Sequence, residues 1–368
     1  MPETITWTDN SGASESLIYT YDGPLTNGVT FADTVDGSVN WTFDNNFWVT
    51  SESVNGLSVN FSYDNDGRLK SAGDLTITRN NQNGFLTGTT LGSITDGYAY
   101  STFGETTSYS AKVSGAAVFG VQYTRDAIGR ITSKTETVGG ATTVYEYGYD
   151  VDGRLVSVKE DGVTVSTYDY DNNGNRITAV TKTGTYQGFY DLQGRMTKYG
   201  RADYSYTANG ELLTKVEPGG TTSYNYDVFG NLRSATLPDG TSIEYVIDAH
   251  NRRIGKKVNG VLLQGFIYKD QLEPVAELDA AGAVVARFVY ATRGHVPDCM
   301  VKGGVTYRVI SDHLGSVRLV VNSADGSIAQ QIDYVEFGNI TQDTNPGFQP
   351  FAFAGGISDK QTKLYMAP

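Results

Sequence analysis

The 368-residue chain carries 41 acidic and 28 basic residues, a formal net charge of −13, and combines 25 Tyr and 43 Gly with 9 Pro and one Cys. An acidic balance without a basic stripe argues against nucleic acid as a partner. The single Cys299 excludes an intrachain disulfide. No run reaches the ~18 apolar residues of a membrane-spanning helix, so no membrane insertion is expected.

The chain opens Met1-Pro2-Glu3-Thr4-Ile5, with neither the basic region nor the apolar stretch of a signal peptide. A tyrosine-aspartate unit begins by residue 19 and returns about every twenty residues, the mark of a repeat array. Worn copies come first, at Tyr19-Thr20-Tyr21-Asp22 and Trp41-Thr42-Phe43-Asp44. A clear copy follows at Tyr63 and Asp64 with Gly67-Arg68-Leu69, then worn ones at Gly84-Phe85-Leu86 and Gly104-Glu105. The frame is regained at Tyr123 and Asp126 with Gly129-Arg130-Ile131. It is cleanest at Tyr147, Tyr149 and Asp150 with Gly153-Arg154-Leu155. It continues at Tyr168, Tyr170 and Asp171 with Gly174-Asn175, and at Tyr190 and Asp191 with Gly194-Arg195-Met196. Next come Tyr204 and Tyr206 with Gly210-Glu211-Leu212, then Tyr224, Tyr226 and Asp227 with Gly230-Asn231-Leu232. At Tyr245 to Asp248 the glycine is replaced by Asn251, ahead of Arg252. Asn is the side chain that best tolerates a left-handed turn position.

Each copy reads as strand, tight turn, strand. Aromatics two residues apart share one face of a strand, and Asp starts the turn by accepting backbone N–H groups just beyond it. A lone hairpin is unstable, so neighbouring copies must pair edge to edge. The expected fold is all-β, a solenoid of antiparallel hairpins spanning about residues 15–340. No helix should exceed roughly three turns, and any short helical pieces should lie after residue 290. Tyr149, Tyr170 and Tyr226 are expected to pack against their counterparts in the next unit. Three regions are expected: degenerate repeats over 1–60, the regular solenoid over 61–290 and a distinct C-terminal region over 291–368. With little room for a cap before residue 19, the chain is expected to be a piece of a longer protein.

Candidate chemistry is sparse. His250, His295 and His313 are scattered, and no spacing suits a transition metal. Ser311, Asp312 and His313 are adjacent and cannot converge as a triad. Asp169-Tyr170-Asp171-Asn172-Asn173-Gly174 matches the first half of a calcium loop, but Val180 stands where a bidentate Glu is required. That segment, and the similar ones at Asp64 and Asp150, therefore read as turns. Repeating carboxylates single out no glycosidase pair. The tyrosines suit packing better than sugar stacking, and Cys299 reads as an inert thiol. No cofactor, metal site or enzyme activity is expected.

These motifs resemble the YD-repeat, or RHS, family, whose consensus is Tyr-Asp followed by Gly-Arg or Gly-Asn and an apolar residue. Near the C-terminus, Ile310 to Arg318, including Asp312, His313, Gly315 and Arg318, is similar to the Asp-His-Leu-Gly-Ser-x-Arg element of RHS cores. Tyr334 to Gly338 and Pro350 to Gly356 follow in the family's order. The resemblance implies a sheet that spirals into a hollow, here partial, shell. In bacterial toxins such shells enclose a C-terminal toxic domain, and related shells occur in animal teneurins. It implies partners of the parent protein: a C-terminal toxin or other cargo, and secretion or delivery components. It implies a secreted or cell-surface location. The toxins end in a self-cleaving aspartyl protease with two Asp-Pro-x-Gly elements. This chain has no Asp-Pro dipeptide, and Lys360 and Lys363 replace the usual Pro and Gly after Asp359. The expected role is thus an encapsulating segment without protease or cargo. A glycan-binding or adhesion module and, further off, a glycoside hydrolase are the alternatives.

Overall fold

The computed structural model describes residues 2–8, 12 and 14–366. Strands run from Thr4–Thr8 to Ile340–Asp343, followed by the short pair Ile357–Ser358 and Tyr365–Met366, so β-structure extends beyond the expected limits at both ends. Paired strands are antiparallel and consecutive in the chain, as in Ala141–Tyr149 with Leu155–Glu160 and Leu155–Glu160 with Val163–Tyr170. Among the described residues the one helical element is a single 3-10 turn, Phe353–Gly355.

The fold divides into two compact units, Met1–Ile94 with Asp227–Ala235 and Thr241–Pro368, and Thr95–Tyr226 with Thr236–Gly240. The second unit contains the most regular repeats. Its register shifts recur at the residue before the turn aspartate: between Gly148 and Tyr149, Asp169 and Tyr170, and Phe189 and Tyr190. A bulge at that point adds local twist and aims the tyrosine over the turn. One buried cluster of the unit is small: Val158, Tyr168 and Ala179, flanked by half-buried tyrosines such as Tyr145, Tyr170, Tyr186 and Tyr199, while Ala111, Phe119 and Val121 are buried further toward its start.

The first unit holds a large aliphatic and aromatic core that includes Phe31, Val39, Ile254, Phe266, Ile267, Phe288, Met300 and Val320, each 2% exposed or less. Strand Val317–Asn322 is buried at five successive positions, so both of its faces are covered. The segment after residue 347 supplies part of that cover. Phe351 meets Phe288 edge to face at 4.9 Å, and Phe348 meets Tyr307 at 5.1 Å. From the loop between strands Leu25–Ala32 and Gly37–Phe43, Val35 enters the same core beside Gly255 and Gly265, where added Cβ atoms would come within 3.0 and 3.3 Å of its methyls.

Candidate functional site

The repeating turn is the most heavily reused structure in the chain, and Asp150 shows its parts. Its backbone N–H donates to Arg154 O (3.0 Å), and its own carbonyl accepts from Gly153 N (3.1 Å). One carboxylate oxygen accepts the backbone N–H groups of Asp152 (3.0 Å) and Arg154 (2.8 Å), while the other accepts from Arg154 Nε (2.6 Å). Arg154 then reaches onward. Its Nη1 donates to Asp171 O (3.1 Å) in the next turn, and its guanidinium lies 5.1 Å from the centre of the Tyr170 ring. Tyr170 closes the clasp by donating its hydroxyl to Leu155 O (2.9 Å), just past Arg154.

The clasp repeats one turn earlier. Arg130 binds Asp126 (2.7 Å) and lies over Tyr149 (4.8 Å), whose hydroxyl reaches Ile131 O (2.8 Å). Where Asn175 replaces Arg, its Nδ2 still donates to Asp171 Oδ2 (2.9 Å), and Tyr190 still reaches Arg176 O (3.0 Å). The side-chain bond from Asn175, joined by the backbone donors of the turn, holds the Asp171 carboxyl below the usual carboxylate range. Both Asp171 oxygens are thus taken by its own turn, which is the physical form of the rejected calcium loop. The partner of Tyr149 and Tyr170 is the arginine and backbone of the preceding unit, in place of the expected counterpart tyrosine.

At Asp248, in the first unit, the clasp is buried. Asp248 is fully enclosed, Arg252 Nη2 pairs with it at 2.6 Å, and Arg252 continues to Asp270 O (2.7 Å). Asp64 and Asp227 form the same turn, each accepting two backbone N–H groups. Tyr63 donates to Val49 O (2.9 Å). Gly67, Gly153, Gly174 and Gly230 all have positive φ, while Phe47 (φ 63) and Asn251 (φ 60) take the corresponding place in two other turns. The worn copy at Tyr19 to Asp22 departs from this pattern. Asp22 pairs with Leu25 in a two-residue hairpin, closed by Gly23 and Pro24.

The C-terminal element proves to be another copy of the turn. Asp312 accepts the N–H groups of Leu314 and Ser316 (both 2.9 Å), with Ser316 in the arginine position. Gly315 (φ 92) is required here on two counts, since a Cβ would also lie 2.3 Å from His295 Nε2. His313 is exposed in this turn. Ser316 Oγ accepts from Ala354 N (3.0 Å), and buried Arg318 binds Asp333 (2.7 Å) and Ile332 O (3.0 Å). Nearby, Asp359 is fully enclosed and accepts from the Tyr245 hydroxyl (2.8 Å), with Lys256 at 3.5 Å and Arg253 at 3.8 Å. Burial, reinforced by Asp298, pushes the Cys299 thiol up to about 12, which keeps it protonated and inert.

Two features escaped the sequence. Asp279 forms the same turn with Ala281 and Ala283 (both 2.9 Å), signalled by Asp-x-x-Gly alone because Leu278 stands where the tyrosine would be. A cleft in the first unit is built around Trp41 and the Lys269-Asp270 turn, whose residues lie too far apart in sequence for any local motif.

A consecutive antiparallel meander whose turns are clasped by Tyr, Asp, Gly and Arg defines a YD-repeat shell protein. The chain belongs to the Teneurin YD-shell family, which it matches over residues 2–368. It is similar to mouse Teneurin-4, with 27% identity over 96% of this chain and 13% of that protein. Human Teneurin-1 is 28% identical over 98% of this chain and 14% of its own length. The chain therefore spans only about one-seventh of these relatives. A shorter likeness, 27% identity over 56% of the chain and 9% of the relative, is to the tRNA3(Ser)-specific nuclease WapA of Bacillus spizizenii. Among solved structures, the TcdB2-TccC3-TEV crystal structure covers 98% of this chain, and the chain covers 21% of it, with TM-score 0.62 and 14% identity. The Photorhabdus luminescens Tc holotoxin pore covers 96%, and the chain covers 20% of it, with TM-score 0.62 and 13% identity. At such identities the likeness concerns the fold alone.

Proposed function

We propose that this chain is a wall-forming segment of a longer secreted or cell-surface YD-repeat protein, and that the wall encloses another part of that protein or its cargo. The observation that carries this reading is the forward clasp, in which the arginine of one turn holds the aspartate carbonyl and tyrosine ring of the next. Such a device extends a sheet unit by unit without needing a reactive group. Asp64, Asp150, Asp171 and Asp227 act as turn-formers in this reading, Asp312, Gly315 and Arg318 hold the C-terminal region 291–368 together internally, and Asp359 ties that region to Tyr245 and Lys256 of the solenoid of 61–290. We assign the chain no catalytic role: the Asp126, Asp150 and Asp191 carboxylates are committed to arginines.

Graded proteolysis of the full-length gene product tests the enclosure. The enclosed segment should disappear only at protease levels that also cut strands within 61–290. Digestion of that segment while the strands stay intact overturns the reading.

A further inference from the structure

The cleft of the first unit has a floor and a rim of different chemistry. Tyr19 pairs in register with Val29, and Val29 with Val39, so the side chains of Tyr19, Trp41 and Phe43 share one face of adjacent strands. Glu52 stands directly opposite Trp41 and extends this floor. The rim is formed by two repeat turns that carry the exposed side chains of His250, Asp270 and Gln271. Two adjoining cavities of about 440 and 400 Å³ share Trp41, Val49, Lys269 and Asp270. Together they have the size of a small-molecule site.

The polar groups of the cleft are unevenly matched. Glu52 is 7% exposed and accepts the Trp41 indole N–H at 3.1 Å through Oε2. Among the described residues no donor reaches its Oε1. Asp270 uses one oxygen for the N–H groups of Leu272 and Glu273, and its carboxylate also lies within hydrogen-bond reach of the Glu273 side chain while its exposed edge faces the cleft. Gln271 donates to His250 O (3.2 Å), which leaves its amide oxygen unengaged. The cleft thus offers acceptors beside aromatic faces. Its cations are already committed, Arg252 to Asp248 and Lys269 to Glu273, with Lys269 also 5.1 Å from the Tyr290 ring centre. No uncompensated positive charge attracts an anion, and the resident ammonium disfavours a second cation. Burial pushes the Glu52 carboxyl upward and Glu273 up to about 7.

We infer that this cleft binds a neutral sugar of one or two rings, with Trp41 and Tyr19 against the ring face and Glu52, Asp270 and Gln271 accepting from its hydroxyls. Hydroxyl donors and a C–H ring face meet what the cleft leaves unsatisfied. The site is independent of the enclosure reading, because it needs only the first unit to be folded.

Saturation-transfer NMR and tryptophan fluorescence on the whole chain test it with methyl glucoside, methyl galactoside, N-acetylglucosamine, lactose and chitobiose. Choline and inorganic phosphate serve as charged controls. At least one sugar should give a saturable response, weakened about tenfold by Trp41→Ala and several-fold by Gln271→Ala. Gln271 is exposed, so Gln271→Ala should keep the parent melting temperature. A response to choline or phosphate alone, or to no probe, overturns the inference. So does a sugar response undiminished in Gln271→Ala, whatever Trp41→Ala does.

Discussion

Strands Thr106–Val113 to Gly220–Tyr226 and strands Ser242–Ile247 to Ile328–Tyr334 are made from the same hairpin but held by different forces. The former bury smaller clusters, among them Val158, Tyr168 and Ala179 and also Phe119 and Val121, and carry the arginine clasp at the Asp126, Asp150 and Asp191 turns. The latter contribute to a broad core that is also covered by Phe31, Val39 and Phe351. The repeat tolerates losses in both regions: Thr207 and Glu211 stand in the aspartate and arginine places of one turn among the former. Leu278 replaces the tyrosine beside Asp279, and Ser316 replaces the arginine beyond Asp312, both in the unit with the large core. Burial of apolar surface carries stability that the polar clasp must otherwise supply.

The largest test of this contrast is Phe288→Ala, which should cost about 3–5 kcal/mol in urea unfolding, because a 2% exposed ring leaves a cavity against Phe351. A loss near that of an exposed site would mean that the core is less closely packed than described. Arg252→Ala comes next. It strands the enclosed Asp248 carboxylate and should cost about 3 kcal/mol or more. The equivalent Arg154→Ala, in a half-exposed clasp, should shift the unfolding midpoint much less. Equal effects at both positions would erase the distinction between the two regions.

The pH dependence should also separate them, since the two buried acids with the clearest roles lie in the core unit. Burial alone would raise Asp359, but Lys256, the Tyr245 hydroxyl and Arg253 together hold it below the usual carboxylate range. Its contribution is therefore present above the ordinary aspartate pKa and is lost as the pH falls through its lower folded value. Burial pushes Glu273 up to about 7 in spite of Lys269. Its contribution has the opposite sign, being full below about pH 4.5 and lost as the pH rises toward about 7. Asp359→Asn should flatten the acid limb of the melting-temperature profile, and Glu273→Gln the slope between about pH 4.5 and 7. Profiles unchanged by both substitutions would remove these groups from the account.

The smallest effect concerns a single turn. Gly174 has φ +85 with open space around its missing Cβ, so Gly174→Ala should cost only the left-handed backbone penalty of about 1 kcal/mol. Asn251→Gly, at a position already left-handed (φ 60), gains backbone freedom but loses the exposed Asn231 Nδ2 to Asn251 Oδ1 bond (3.1 Å), so its net effect should stay below about 1 kcal/mol. A loss well above 1 kcal/mol at Gly174 would show that neighbouring turns are coupled more tightly than their hydrogen bonds indicate.

The turns were legible because their chemistry is complete within about six residues: Asp150, Gly153 and Arg154 need only one another to fold back. The hairpin architecture followed from the same signal, and even Asn251 could be read as a stand-in for glycine. What distant residues decide was not legible. Asp22 looked like a turn-former until the neighbouring Gly23 and Pro24 closed a shorter hairpin. The covering of strand Val317–Asn322 was not foreshadowed, since Arg318 interrupts its apolar residues and is nevertheless buried. The cleft depends on Trp41 meeting Lys269 and Asp270 across more than two hundred residues, a juxtaposition that no local pattern encodes.

Consecutive pairing has a mechanical consequence. Along Thr106–Tyr226 the paired strands are chain neighbours, so tension applied at the two ends loads the ladder bonds in sequence, as in a zip. Each released repeat of about twenty residues would add roughly 70 Å of contour. The Arg154 clasp to Asp171 and Tyr170 then acts as a tooth that must let go before the next hairpin can peel. Under load this region would lengthen in regular steps at modest force, yielding as an extensible tether before the core unit gives way.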